Sequence, residues 1–358
     1  MRKLLILLSI VVIFPLFSLN ISAEDKVDDY ISDFENILPE GFEGMSDTDN
    51  LMERAELSTL LSEVVRALSD GKGDIAAFFF TLLGSVTLMS VGALCHDRLS
   101  GAVQTSVGIV SSVLIFLSVR PLIDMISDAI GKISSFFASL IPIAVGITAL
   151  GGGVTTAGVQ GSGMYAALSA VGGLGGQIFL SLSAFGLAMS LLSAFSGEGI
   201  NSVLRGFRAL FGWVTGIFTA LITAAFSLQT LVASSADSAA MRAVKYAASG
   251  LIPVVGSTVS GAISTLATGL TYAKGVVGGG AILVILYMTL SPMALLLAYR
   301  LSLSLCIILS DFVGSPVASR VLSAYRFSLD MTITVYALSA LIYLFEIVLI
   351  TMMGVSLS

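Results

Sequence analysis

The stretch from Val244 to Gly280 restricts this chain more than any other. It is apolar enough for a membrane yet crowded with residues that weaken a helix: Gly250, Pro253, Gly256, Gly261, Gly269, Gly275 and the run Gly278 to Gly280. In an exposed helix interior Gly costs about 1 kcal/mol and Pro about 3 kcal/mol relative to Ala. Within lipid, such weak points are tolerated only where neighbouring helices, side chains or water satisfy the freed backbone groups. The stretch is therefore expected to be buried in protein or to line a cavity, with the remainder of the chain as its scaffold.

That remainder is a membrane protein by composition. Of 358 residues, 56% are hydrophobic and 11% charged, against roughly 25% charged in a soluble domain. Mean hydropathy is +1.00. Several apolar runs reach the roughly 18 residues that mark a bilayer-spanning helix. The net charge of −6 hides a segregation: residues 24–74 hold fifteen Asp/Glu and four Lys/Arg, a net of −11, so the rest of the chain is +5. No basic patch for nucleic acid stands out. Cys95 and Cys306 lie far apart with no CxxC, which points to free thiols and to neither a disulfide framework nor a metal site.

The chain opens with basic Met1-Arg2-Lys3, an apolar core from Leu4 to Leu19, and Ile21-Ser22-Ala23 before Glu24-Asp25. This reads as a signal peptide, 1–23, cut after Ala23, with an uncleaved anchor as the alternative because Ile21 is bulky for its place. Residues 24–74 form an acidic extracytoplasmic segment of two short amphipathic helices. One carries Val27, Tyr30, Ile31, Phe34 and Leu38 and stops at Pro39-Glu40-Gly41; the other carries Leu57, Leu60, Leu61, Val64 and Leu68. Two readings stay open: a solvated leader loosely packed on the membrane body, or a docking element whose apolar stripes await a partner.

Residues 75–358 are the multi-span membrane domain. The fold class is all-α, a polytopic helical bundle of about 7–8 spans with broken or re-entrant Gly/Pro-rich helices. Spans are expected near 75–94, 102–119, 133–150, 165–195, 209–233, 251–272, 276–299 and 331–357. Between the second and third, Ile123, Ile126 and Ile130 oppose Asp124, Asp128 and Lys132, which suggests an interfacial helix over 121–132. Residues 301–330 read as a further interfacial or re-entrant piece. Counting Lys and Arg favours eight spans with both ends outside, which leaves Lys274 in an outer loop. Leu140-Ile141-Pro142-Ile143-Ala144-Val145-Gly146 echoes Leu251-Ile252-Pro253-Val254-Val255-Gly256. Broken helices at matching places in inverted halves point to a transport path, so Pro142, Gly146, Gly250, Pro253 and Gly256 are the candidate pore-lining or close-packing residues.

Signals of enzymatic chemistry are nearly absent. The single histidine, His96, sits in a short turn, and no GxSxG, HExxH or Walker A occurs. Gly151-Gly152-Gly153 and Gly278-Gly279-Gly280 lack the lysine and spacing of a phosphate loop. Gly212 and Gly216 fit small-xxx-small helix packing instead. Ionisable residues expected at membrane depth are few, and Glu346, flanked by Tyr343-Leu344-Phe345 and Ile347-Val348-Leu349, is the best candidate. A charge there costs on the order of 2.5–3.5 kcal/mol on insertion scales, so it should face protein or water, or be protonated. It is a hydrogen-bonding partner for a neighbouring helix or a proton or ion site.

Lys245-Tyr246 followed by Gly250-Leu251-Ile252-Pro253-Val254-Val255-Gly256 resembles the stage III sporulation protein AE family. The resemblance takes in Ser227-Leu228-Gln229, Leu140-Ile141-Pro142 and Ser315-Pro316-Val317, and covers most of residues 75–358; the glycine-rich region Gly151 to Gly176 departs from it. It implies a non-enzymatic membrane component, without cofactor, of a secretion-like channel complex between mother cell and forespore that supports late forespore gene expression. The implied location is the mother-cell-derived membrane around the forespore. Implied partners are the lipid bilayer, sister stage III proteins including a secretion-type ATPase and ring-forming subunits, and forespore stage II sporulation protein Q. No catalytic residues carry over. A stand-alone small-molecule permease and a purely structural scaffold are the alternatives.

Overall fold

A computed structural model describes residues 28–47, 51, 53, 55–93, 100–150, 154–172, 180–192, 202–203, 205–225, 227 and 256–352. Among these residues there is no strand. The helices are α1 (28–37), α2 (Leu57–Asp70), α3 (Lys72–Ala93), α4 (Ser100–Leu150), α5 (Val154–Ser169), α6 (Leu180–Leu192), α7 (Arg205–Ala225), α8 (Gly256–Phe312) and α9 (Pro316–Met352). Five of them are long and apolar enough to cross a membrane: α3, α4, α7, α8 and α9. α6 is a shorter apolar helix.

Three long helices make the frame. α8 and α9 form an antiparallel hairpin, and α4 lies along both. The direction of α4 is fixed by its hydrogen bonds to α9. Ser112 Oγ meets Tyr325 Oη at 2.9 Å, and Ser134 Oγ meets Tyr343 Oη at 2.8 Å, so the two helices run the same way. α3 packs on α4 and α8, α5 on α4, and α6 on α9 and α4. The core is one continuous apolar cluster that includes Leu82, Ile126, Phe137, Val284, Tyr336 and Tyr343. It is nearly all aliphatic and aromatic, and Tyr325, Tyr336 and Tyr343 bury their rings while keeping a hydrogen-bonded oxygen.

The α8–α9 hairpin follows from three adjacent residues. Gly314 adopts φ +77, a left-handed conformation that a glycine enters without a Cβ penalty. Its N–H reaches Asp311 O at 3.1 Å, and Ser315 N–H reaches Ser310 O at 2.9 Å. That is the Schellman pair, which satisfies carbonyls left open at a helix C-terminus. Pro316 then starts α9, where its missing N–H is no loss. Residues 301–330 are thus two helix ends and a tight turn. The expected interfacial or re-entrant piece is absent, because the Gly-Ser-Pro sequence closes a hairpin.

The structure also corrects the span boundaries. Residues 102–119, 121–132 and 133–150 are one helix of 51 residues that passes through Pro121 and Pro142 without ending. The expected surface helix over 121–132 is the middle of α4, and Pro142 breaks nothing: packing on α5, α8 and α9 holds the helix where one ladder bond is missing. Residues 256–272 of the expected span 251–272 likewise share α8 with the expected span 276–299, in a helix of 57 residues with Gly278 to Gly280 in its interior. At 1.5 Å per residue, α4 is about 77 Å long and α8 about 86 Å, far beyond a hydrocarbon core of about 30 Å.

The leader is packed, not loose. After α1, Pro39 halts the helix, and Gly41 and Gly44 turn the chain with φ +90 and +78. The turn brings Met45 back beside Phe34, both fully buried, and Ser46 hydrogen-bonds the Glu35 carboxylate. α2 lies on α8. Its buried side holds Leu60, Val64, Ala67 and Leu68, whereas Leu57 and Leu61 are exposed, against the expected stripe.

Candidate functional site: the glycine seat of the leader

Two glycines on two long helices receive the leader. Gly146 is one turn past Pro142 on α4. A Cβ added there would come within 2.5 Å of the Tyr30 hydroxyl and 2.7 Å of its ring. Gly280 lies on α8, where a Cβ would sit 2.6 Å from the Met45 carbonyl oxygen and 2.8 Å from the Phe34 ring. Only a residue without a side chain allows these approaches. Farther along α8, Phe42 packs edge-on against Tyr287 with centroids 6.1 Å apart. Gly71 meets the Leu295 side chain, and Phe78 of α3 meets Tyr299 at 4.9 Å. The leader, α2 and α3 thus follow α8 in order from Gly280 to Tyr299.

Beneath the seat, α4, α8 and α9 close together. Gly278 is crossed by Thr351, whose methyl group occupies the space a Cβ would need. A void of about 10 Å³ remains, lined by Leu140, Ile147, Lys274, Gly278, Ile347 and Ile350 among others, which is room for about one water. Lys274 is 6% exposed and Glu346 fully buried, so two ionisable groups lie within the packed bundle. Lys274 therefore belongs to the interior of α8 and not to an outer loop. Its flanks are small or apolar on both sides, Tyr272-Ala273 and Gly275-Val276-Val277, a signal that treating it as a loop end overlooked. Gln160 is another buried polar group that sequence reasoning missed. Its Oε1 accepts from Thr148 Oγ1 at 2.7 Å, tying α5 to α4.

The other candidates fall differently. Gly250 and Pro253 lie outside the described residues, and Gly256 is the first residue of α8. His96, Cys95 and Gly151 to Gly153 are also outside them, while Cys306 is a buried free thiol. Among the described residues, Gly212 and Gly216 pack against no other helix. Nothing lies within 4 Å of a Cβ built on either, and with Thr215, Thr219 and Thr334 they line an open groove of about 600 Å³.

A second groove, of about 590 Å³, runs between the middle of α4 and α8, with Asp124, Asp128 and Lys132 facing Met288, Ser291 and Pro292. About two turns farther along α8, Arg300 forms an ion pair with Asp330 of α9. Arg208 of α7 donates to Ser323 O at 3.2 Å and stacks on the Phe327 ring at 4.6 Å. Among the described residues, no three His, Cys, Asp or Glu side chains gather as metal ligands.

The family profile described as stage III sporulation protein AE matches residues 57–355. A protein named stage III sporulation protein AE, from Bacillus subtilis (strain 168), is 24% identical over 318 aligned residues, covering 81% of this chain and 75% of that relative. No solved structure matches.

Proposed function

Because the chain belongs to the stage III sporulation protein AE family, we propose that it is an integral membrane subunit of a secretion-like channel complex linking mother cell and forespore, needed for late forespore gene expression. It works in the mother-cell-derived membrane around the forespore. Its partners are sister stage III proteins, among them a secretion-type ATPase and ring-forming subunits, and forespore stage II sporulation protein Q. Its role is not enzymatic. The observation that carries this reading is the family match across nearly all of a chain built from long apolar helices. In the proposed arrangement 1–23 is a signal peptide, 24–74 faces the space between the two membranes, and 75–358 is the membrane-anchored body. Gly250, Pro253, Gly256, Pro142 and Gly146 serve close packing or line a path. Glu346 is a polar anchor within the bundle.

Deletion of the chain in its sporulating host tests this directly. The expected result is failure to activate late forespore genes, together with recovery of sister stage III proteins when the tagged chain is purified from sporulating cells. Normal late gene expression after deletion would sink the proposal.

A purely structural role is favoured by one observation: the seat at Gly146 and Gly280 is filled by Tyr30, Phe34 and Met45 and is not open. Cysteine accessibility scanning across 250–280 separates the two, since uniform protection in the assembled complex is the scaffold outcome and water-reactive positions on one face are the channel outcome.

A further inference from the structure

The acidic leader shows where hydrocarbon cannot be. Sequence alone places 133–150 and 276–299 in the membrane, yet Gly146 and Gly280 within those segments carry α1 and its turn. Phe34 points into the bundle, while Asp28, Asp29, Asp33 and Glu35 on the same helix are exposed. α2 continues the cover along α8 and is itself bordered by exposed Glu53, Glu56 and Asp70. Carboxylates spread around the seat cannot face lipid tails. We propose that α4, α8 and α9 each leave the membrane on the leader's side. Their leader-bearing halves then form an extramembrane bundle, and their other halves cross the hydrocarbon together with α3.

Three features fit together on this reading. A single bilayer cannot hold a straight helix of about 77 Å, so part of α4 must project. The point of exit is marked by Asp124, Asp128 and Lys132 in the groove beside Ser291 and Pro292, with an apolar run on each side. The one helix that follows the leader, α3, starts at Lys72, just after Gly71 meets Leu295, and runs along the C-terminal half of α8. That half is where a full-length span is needed. Several charges there have partners or are partly covered: Arg300 pairs with Asp330, Arg208 binds Ser323 O and Phe327, and Arg320 and Arg326 are half-buried. The exposed ones stand at the margins of that half: Arg205 opens α7, Asp311 is next to the end of α8, and Arg120 is one turn before Asp124. The apolar composition of the leader-bearing halves then has a second cause. Helices that are apolar all round are core helices as well as membrane spans, and here α2, α5 and the leader supply much of the covering.

The inference rests on helix length and charge and does not depend on the complex proposed above. It is tested with the full chain in liposomes whose lipids are brominated in mid-chain. Trp213 is the single tryptophan, so Trp213→Phe gives a silent background. Phe80→Trp on α3, 67% exposed, reports the hydrocarbon; Tyr165→Trp on α5, 60% exposed, and Tyr272→Trp on α8, 52% exposed, report the leader-bearing half. The expected result is loss of emission at the Phe80 reporter and none at the Tyr165 and Tyr272 reporters. Loss at either of these equal to that at Phe80 overturns the proposal. If a tryptophan variant does not insert, a nitroxide at Asp33→Cys, with Cys95→Ser and Cys306→Ser, reads the same depth. Relaxation by an aqueous nickel complex supports the proposal, and relaxation by oxygen alone overturns it.

Discussion

Gly280 and Gly146 look alike in sequence but differ in what stands against them. At Gly280 the nearest atom is the Met45 carbonyl, a backbone group that moves only if the turn 38–47 moves. At Gly146 it is the tip of Tyr30, a side chain that can swing away. Overpacking typically costs about 1–3 kcal/mol. Gly280→Ala should therefore lower the thermal midpoint and loosen the leader, read as faster proteolysis within 28–56. Gly146→Ala should cost less, and pairing it with Tyr30→Ala should remove most of the steric part of its effect. The buried tyrosines give a second comparison. Tyr343→Phe removes the bond to Ser134 at 2.8 Å, and Tyr325→Phe removes bonds to both Ser112 Oγ and Ser112 O. Each lost bond is worth about 0.5–1.5 kcal/mol, so Tyr325→Phe should be the more damaging in the same melting assay.

At the scale of elements, the α8–α9 turn and the leader are where local chemistry decides the path of the chain. Gly314 was not singled out from sequence, although Ser315-Pro316 beside it was. With φ +77, Gly314→Ala places a Cβ in a left-handed conformation at a cost of about 1–2 kcal/mol. The measurement is a lowered unfolding midpoint with α8 and α9 still helical by circular dichroism; an unchanged midpoint would mean the hairpin is held by packing alone. The amphipathic pattern of α1 was legible because Tyr30, Ile31, Phe34 and Leu38 recur at helical spacing. Its destination was not, since periodicity shows that a face is apolar and not what covers it. In α2 the apolar residues outnumber what one face can bury. The sequence could not tell that Leu60, Val64 and Ala67 turn inward while Leu57 and Leu61 stay out.

On the scale of the whole molecule, the frame is held chiefly by apolar burial, with a few polar ties at fixed levels. The Arg300–Asp330 pair is partly exposed, 46% and 36% by side chain, and lies in the half placed above in the membrane, where leaving one charge without its partner is costly. Arg300→Ala should therefore lower the melting midpoint clearly in liposomes, and the charge exchange Arg300→Asp with Asp330→Arg should recover much of the loss. A loss within the roughly 0–1 kcal/mol of a surface pair would place the pair in water. Glu346 belongs to this scale too, because it is fully buried where α9 meets the rest of the bundle. Glu346→Gln keeps size and hydrogen bonding while removing the charge. Retained sporulation function in that variant is the expected result for a polar anchor, and loss of function with normal protein levels would point to a proton or ion role.

Composition and periodicity by themselves determined that this chain is helical, crosses a membrane and carries an acidic amphipathic segment over 24–74, and short motifs such as Gly250 to Gly256 gave its resemblance to a sporulation family. Those properties are local sums: apolar length, charge spacing and short motifs are all present in a window of residues. Where one helix ends and the next begins was not decided locally. Pro121, Pro142 and Gly278 to Gly280 carry the marks of breaks, yet α4 and α8 run through them, because neighbouring helices hold the backbone there and small residues let those neighbours approach. Only the tertiary structure joined Gly146 to Tyr30 and Gly280 to Phe34 and Met45. These contacts link residues more than a hundred positions apart, and a glycine in sequence records that something comes close without recording what.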